Sequence, residues 1–357
     1  MTPKNKLFIG ISAFMLIVNL LVIFDLNLFY IRTILAFIFI ITIPGLLIML
    51  CFKIRNINPW EYLVYTIGLS IAFIMFAGLA VNWTLPWLNI TDKPLSLWPI
   101  LICFDIFLLI FTFIAYKRNK DLKFELKFPK FSWFDRIFLI VSFCFPFMAV
   151  LGAFILNNQG PNYLTMIMLG GIAIYVFLVV LFRNKLNSNI YPFAILMISI
   201  ALLLMFSLRS GFISGWDISQ ETYVFRLTID NGVWSMKNYN DAYNSCLSLS
   251  ILPTVIELFS KFNMQFIFKL FFQIVFIFHS LTIFLIFRRY IPAILAFTAS
   301  FLYFGAGYFN FNFPKLIRQE IAFLFFGLML LVLFNKEINP TLKKILFVIF
   351  GFSMIVS

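Results

Sequence analysis

Charge is scarce in this sequence: Asp, Glu, Lys and Arg together make up 11% of 357 residues, and histidine occurs once. So small a polar inventory cannot cover a water-soluble globule of this length, which excludes a soluble enzyme or binding domain. The four cysteines, Cys51, Cys103, Cys144 and Cys246, are scattered, three of them in or beside apolar runs. Neither a disulfide framework nor a cysteine metal set follows from that spacing. No glycine-rich phosphate loop occurs, which argues against nucleotide hydrolysis by this chain. The alternating ten-residue pattern of a membrane barrel strand is missing too. The first apolar run, residues 7–24, lacks a small-residue cleavage pattern and is followed at once by another run, so it reads as a span and not as a removable leader.

Apolar residues are abundant: 63% of the chain, with a mean hydropathy of +1.02. The runs reach the roughly 20 residues that carry an α-helix across a hydrocarbon core. The fold class expected is therefore all-α, a multi-pass membrane protein of about eleven spans. Ten are drawn at residues 7–24, 28–52, 62–81, 98–116, 137–156, 164–182, 190–207, 266–287, 291–313 and 321–334. A last run opens at Ile345 and reaches Ser357 before it is long enough to cross, so the chain is expected to be part of a longer protein. Two regions are expected: an N-terminal six-span region, 1–189, and a second membrane region, 190–357.

Lys and Arg in short connections stay on the cytoplasmic side. Lys4 and Lys6, Lys53 and Arg55, the run from Lys117 to Lys130, Arg183 and Lys185, Arg288 and Arg289, and Lys336 with Lys343 and Lys344 fall in every second connection. This puts the N-terminus in the cytoplasm of a cell-membrane protein and the connection 208–265 outside. Two glycosylation sequons, Asn82-Trp-Thr and Asn89-Ile-Thr, fall in one outward loop, whereas Asn339-Pro-Thr is blocked by its proline. The basic run carries Phe124, Phe128 and Phe131, which suits anionic membrane lipid better than nucleic acid. No nucleic-acid partner is expected. His279 lies within an apolar run, where a hydrogen bond between helices accounts for it.

The connection 208–265 is the longest and carries polar and aromatic residues found nowhere else at such density. Residues 216–229 and 247–262 show helical spacing and read as interfacial helices, the second kinked at Pro253, with Tyr223, Trp234, Tyr239 and Tyr243 at headgroup depth. Asp217 follows the end of a span closely, then come Glu221, Tyr223, Arg226, Gly232 and Trp234. A carboxylate at that boundary can meet a polar acceptor on one side and a lipid-linked donor on the other. Cations on the same side, Arg209 and Arg226 in the loop and Lys315 and Arg318 before the next span, suit a phosphate. N-capping by Asp217 and snorkelling by Lys315 and Arg318 are the competing structural readings.

Asp217, with Gly232 fifteen positions on and Trp234 seventeen on, resembles the first outer loop of GT-C fold glycosyltransferases, especially lipid A aminoarabinose transferases and protein O-mannosyltransferases. The chain is also similar, through Arg318-Gln319-Glu320, to archaeal multi-pass proteins grouped near that superfamily. The resemblance covers roughly residues 190–334. It implies a polyprenyl-phosphate-linked sugar donor, an extracytoplasmic acceptor in the cell envelope, and Asp217 as base or acceptor anchor. It further implies Arg209, Tyr223, Arg226, Lys315 and Arg318 as substrate-binding residues. Where many relatives have a second acidic residue directly after the first, this chain has Ile218. Glu221, one helical turn after Asp217, is the candidate second carboxylate, and the pair leaves a divalent metal ion open as a cofactor. The alternative reading is a transporter or flippase of lipid-linked intermediates, with the loop as a gate.

Overall fold

A computed structural model describes residues 2–55, 57–121 and 130–357. Lys123, Phe124, Lys127 and Phe128 of the basic run lie outside the described residues. Every regular element among the described residues is helical. In chain order the main helices are α1 (Pro3–Ile23), α2 (Ile31–Cys51), α3 (Pro59–Trp87), α4 (Leu97–Arg118), α5 (Trp133–Asn157), α6 (Tyr163–Leu181) and α7 (Ile190–Ser207). Then follow α8 (Trp216–Asn231), α9 (Ile251–Ser260), α10 (Met264–Arg288), α11 (Ala293–Phe304), α12 (Gly307–Lys315), α13 (Ile317–Phe334) and α14 (Pro340–Ile355).

The protein is thus a multi-pass helical membrane protein, as its composition requires. Among the described residues nine helices are long and apolar enough to cross a bilayer, or ten if α11 and α12, bent by 53°, count as one span. Two of the eleven expected runs account for the difference. The run 291–313 breaks at Gly305 and Ala306, and the run from Ile345 belongs to α14, which has 16 residues.

Two compact units interleave along the chain and do not follow a division at residue 189. The first comprises residues 1–126, 220–267 and 335–357; the second comprises 127–219 and 268–334. In the first unit, α2 and α3 cross so closely that a Cβ on Gly45 would lie 1.8 Å from the Thr66 carbonyl oxygen. Small residues permit such approaches between membrane helices. Beside Pro44, the Gly45 N–H donates to Ser70 Oγ at 2.8 Å.

Helix α9 is more buried than a reading of its polar residues suggests. Expected as an interfacial helix, it packs against α2, α3 and α4, with Ile251, Leu252, Val255, Ile256 and Phe259 buried. Its polar side can be buried because the hydroxyls satisfy themselves locally: Thr254 donates to the Ser250 carbonyl (2.7 Å) and Ser260 to the Ile256 carbonyl (2.6 Å). Pro253 stands in the first turn of α9, where its missing N–H has no intrahelical partner to lose.

The C-terminal carbonyls of α9, left without intrahelical donors, are held by α2. Arg32, only 2% exposed, donates to the carbonyls of Phe259 (2.8 Å) and Leu258 (2.7 Å), and Thr33 Oγ1 donates to that of Ser260 (2.8 Å). Asp25 accepts from Arg32 at 2.5 Å and also from Lys261.

In the second unit α7 packs against α5 and α10, and α10 against α13. His279 of α10 makes the interhelical bond expected of it: Nε2 lies 2.9 Å from the Tyr303 hydroxyl of α11, and the ring stacks on Phe276.

Candidate functional site

The most informative geometry in the second unit gathers where three irregular chain segments meet. Helix α7 ends at Ser207, and the turn after it is fixed from α5: Asn157 Nδ2 donates to the Leu208 carbonyl (2.9 Å) and accepts from the Ser210 N–H (2.7 Å). Ser210 adopts a left-handed φ of 72°. Helix α10 begins with a π-helical turn, Ile267–Phe271, a wider coil that often marks a functional position. That turn presents Lys269 to the end of α7. Its Nζ donates to the carbonyls of Ser210 (2.7 Å) and Phe212 (2.9 Å), with Arg209 O at 3.4 Å, while Ser207 Oγ donates back to the Lys269 carbonyl at 2.8 Å. The third segment is the end of the bent pair, where the 3-10 turn Phe313–Lys315 closes α12.

Lys315 is held over two aromatic rings, its Nζ 4.1 Å from the centre of Phe311 and 4.8 Å from that of Phe206, which themselves pack at 4.6 Å. Such contact with the ring faces restrains the ammonium without neutralising it. Gly215 lies alongside: its φ of 144° belongs to glycine, and a Cβ there would meet the Lys315 side chain at 3.7 Å.

Between these segments lies a cleft of about 60 Å³, lined by Arg209, Lys269 and Lys315 with Ser207, Ser214 and Ile218 among the remainder. Among the described residues, none of the three cations is ion-paired with a carboxylate. By the loop charges this end of the unit is expected to face outward, the side on which the positive-inside bias disfavours cations.

Of the expected substrate-binding residues, the structure brings Arg209 and Lys315 together and adds Lys269, which sequence reasoning missed. An isolated lysine near the start of an apolar run reads as a snorkelling residue, and nothing in the sequence marks the π turn. Arg209 is exposed, whereas Lys315 and Arg318 are half-buried, and Arg318 does not line the cleft.

Helix α8 forms as expected, and Asp217 stands in its first turn, half-buried, between the cleft residues Ser214 and Ile218 in sequence. The division between the two units falls inside α8, after Ser219. Glu221, fully buried, Tyr223 and Arg226 therefore belong to the first unit. There Tyr223 packs edge-on against Tyr239 with ring centres 5.4 Å apart, and Arg226 Nε donates to Met264 Sδ at 3.2 Å. Among the described residues, no three or more His, Cys, Asp or Glu side chains group as a metal site would need.

Gly232 and Trp234 have structural tasks within the first unit. Gly232, with φ of 65°, follows the end of α8, and its carbonyl accepts from the Leu95 N–H at 2.8 Å. Asn82 clamps Trp234 from both sides: Nδ2 donates to the Trp234 carbonyl and Oδ1 accepts from its N–H, each at 2.9 Å. The first sequon is thereby corrected. Asn82 is buried and its amide is engaged, while Asn89 is exposed. Two charged or polar pairs inside the first unit were also unanticipated. Asn335 Nδ2 donates to Glu61 at 3.0 Å, and Asn19 of α1 donates to Asp105, in the interior of α4, at 2.7 Å.

No family model, curated protein or solved structure matches this chain.

Proposed function

We propose that the protein is an integral-membrane glycosyltransferase of the GT-C type, moving a sugar from a polyprenyl-phosphate carrier to an acceptor outside the cell membrane. The observation that carries this reading is the sequence position of Asp217. Asp217 itself does not line the cation-lined cleft, but it stands in the chain between two residues that do, Ser214 and Ile218, at the bundle end that the loop charges assign outward. In the step proposed, Asp217 takes the proton of an acceptor hydroxyl, or anchors that hydroxyl. The acceptor oxygen then bonds to the anomeric carbon. The bond from that carbon to the phosphate oxygen breaks, and its electron pair leaves with the polyprenyl phosphate, whose negative charge the cations stabilise.

One observation favours the alternative, a transporter or flippase of lipid-linked intermediates. Asp105 places a carboxylate in the interior of a spanning helix, with Asn19 as its partner, and such residues commonly mark transport paths. Purified protein supplied with a polyprenyl-phosphate sugar and membrane-extract acceptors separates the two. Release of free polyprenyl phosphate coupled to labelled product supports the transferase. Movement of labelled lipid across proteoliposome membranes without donor consumption supports the transporter and refutes the transferase.

A further inference from the structure

We infer that the face formed by α1 and α4 around Asn19 and Asp105 receives a spanning helix of a second membrane protein, one that carries a Lys or Arg at the depth of Asp105. The starting point is the position of the carboxylate within the first unit. Asp105 stands about 12 Å along α4 from Leu97 and about 20 Å from Arg118, at a rise of 1.5 Å per residue. In a helix of 22 residues, just long enough to span, that is within the hydrocarbon. Ionisable side chains at such depth nearly always face the interior of a bundle or a water-filled path. Asp105 is instead only half-buried, and α1 and α4 are the least enclosed spanning helices of the unit.

Within this chain the polar pair is incomplete. Among the described residues Asp105 accepts one hydrogen bond, from Asn19 Nδ2 to Oδ2 at 2.7 Å, although a carboxylate offers about four acceptor positions. Asn19 Oδ1, enclosed beside it, accepts none, and no cation is ion-paired with Asp105 among the described residues. A neutral amide leaves the charge uncompensated, which is costly in hydrocarbon. One turn above and below the pair, Leu16 and Ile23 on α1 and Ile102 and Leu109 on α4 are exposed. A helix laid against this face therefore meets apolar side chains on both sides of a single carboxylate.

Charge identifies the occupant. A Lys or Arg from a neighbouring helix brings the opposite charge and the missing donors together. A second copy of this chain brings neither. A two-fold contact sets the same patch on both sides, carboxylate facing carboxylate. The spanning helices here also keep Lys and Arg near their ends, and Lys269, the deepest, is engaged with the carbonyls of Ser210 and Phe212. The inference stands apart from the proposed activity, and it accounts for Asp105 without a transport path.

The test is association of the full chain, reconstituted in phosphatidylcholine liposomes, with synthetic single-span peptides. The probes are a Leu/Ala helix with one central Lys, the same helix with Leu there, and the same helix with Glu. Energy transfer between labelled chain and labelled peptide reads binding. The Lys peptide is expected to associate about tenfold more tightly than either of the others, the scale of one strong polar contact between membrane helices. Asp105→Leu is expected to abolish that preference and Asp105→Asn to reduce it. An unchanged thermal midpoint shows that the variants fold, and the comparison of peptides on the wild type needs no variant.

Equal association of the Lys and Leu peptides overturns the inference, and so does a Lys preference that survives in Asp105→Leu. Energy transfer between differently labelled copies of the chain, removed by Asp105→Leu and not displaced by the Lys peptide, assigns the face to a second copy and overturns the foreign partner. Ion flux into the liposomes that disappears in Asp105→Leu assigns the carboxylate to a transport path, and this too overturns the docking role.

Discussion

Replacing Arg32 with Met tests how α9, which follows the polar loop, is held in the first unit. The substitution preserves an unbranched apolar stem and removes the guanidinium. Lost with it are two charge-assisted hydrogen bonds, to Phe259 O at 2.8 Å and Leu258 O at 2.7 Å, and the ion pair with Asp25. Hydrogen bonds to charged groups contribute about 1.5–3 kcal/mol each. The two carbonyls lie in the last turn of α9, so no intrahelical N–H replaces the lost donor. Asp25 keeps Lys261 and is largely exposed, so its share is small. The expected loss is about 3 kcal/mol, the lower end of the two bonds together, since the desolvation of Arg32 is relieved at the same time. That corresponds to roughly a 150-fold shift in the unfolding equilibrium. Equilibrium unfolding in mixed detergent micelles reads it directly. Arg32→Lys, which retains charge but cannot fork across two carbonyls, is expected to fall between the wild type and Arg32→Met. A loss below about 1 kcal/mol in Arg32→Met would refute the account, because that is the scale of one ordinary neutral hydrogen bond.

Further outcomes follow from the same geometry. The hydrogen bond from Lys261 holds the Asp25 carboxyl below its ordinary value of 3.8; partial desolvation opposes this, and the charges of Lys261 and Arg32 add to it. A carboxyl depressed in the folded state contributes stability above its unfolded pKa, and that contribution disappears as pH falls through the folded one. Unfolding midpoints should therefore drop below about pH 4, and Asp25→Asn should lack that part of the drop. Gly45→Ala is expected to prevent folding, because its Cβ would meet the Thr66 carbonyl oxygen at 1.8 Å. Gly170→Ala, with nothing within 4 Å, should raise the thermal midpoint slightly, as Ala is favoured over Gly within helices. Asn82→Ala should cost about 1–3 kcal/mol through its two bonds to Trp234. In a glycosylating host, mass spectrometry should find no glycan on Asn82. An impermeant thiol reagent should label Cys246, half-buried in the loop, on intact cells; labelling only after permeabilisation would reverse the expected orientation.

The spans were legible because a hydrocarbon core demands long apolar runs and leaves few alternatives, and every expected run except 291–313 and the one from Ile345 forms a helix of spanning length. The bend between α11 and α12 was hidden because Gly305 and Ala306 are apolar and leave the hydropathy unchanged. The burial of helix α9 was hidden for a related reason: Ser250, Thr254 and Ser260 count as polar in a sequence, yet each donates to its own helix or the turn before it and can be buried. Of the site, Asp217, Arg209 and Lys315 were nameable because charge is rare in this chain. Lys269 was not, since its importance comes from a π turn and from the carbonyls it meets. Arg32 was likewise absorbed into an expected span, although its side chain secures α9.

The role proposed for Asp217 is in glycosyl transfer, next in sequence to residues of a cation-lined cleft. Its most direct test is transfer of labelled sugar from a polyprenyl-phosphate donor, comparing the purified wild-type protein with Asp217→Asn. The expected result is that the wild type forms labelled product and that the variant, folded with an unchanged thermal midpoint, loses at least about a hundredfold in rate, the scale of a general base. Transfer by Asp217→Asn at the wild-type rate would contradict it.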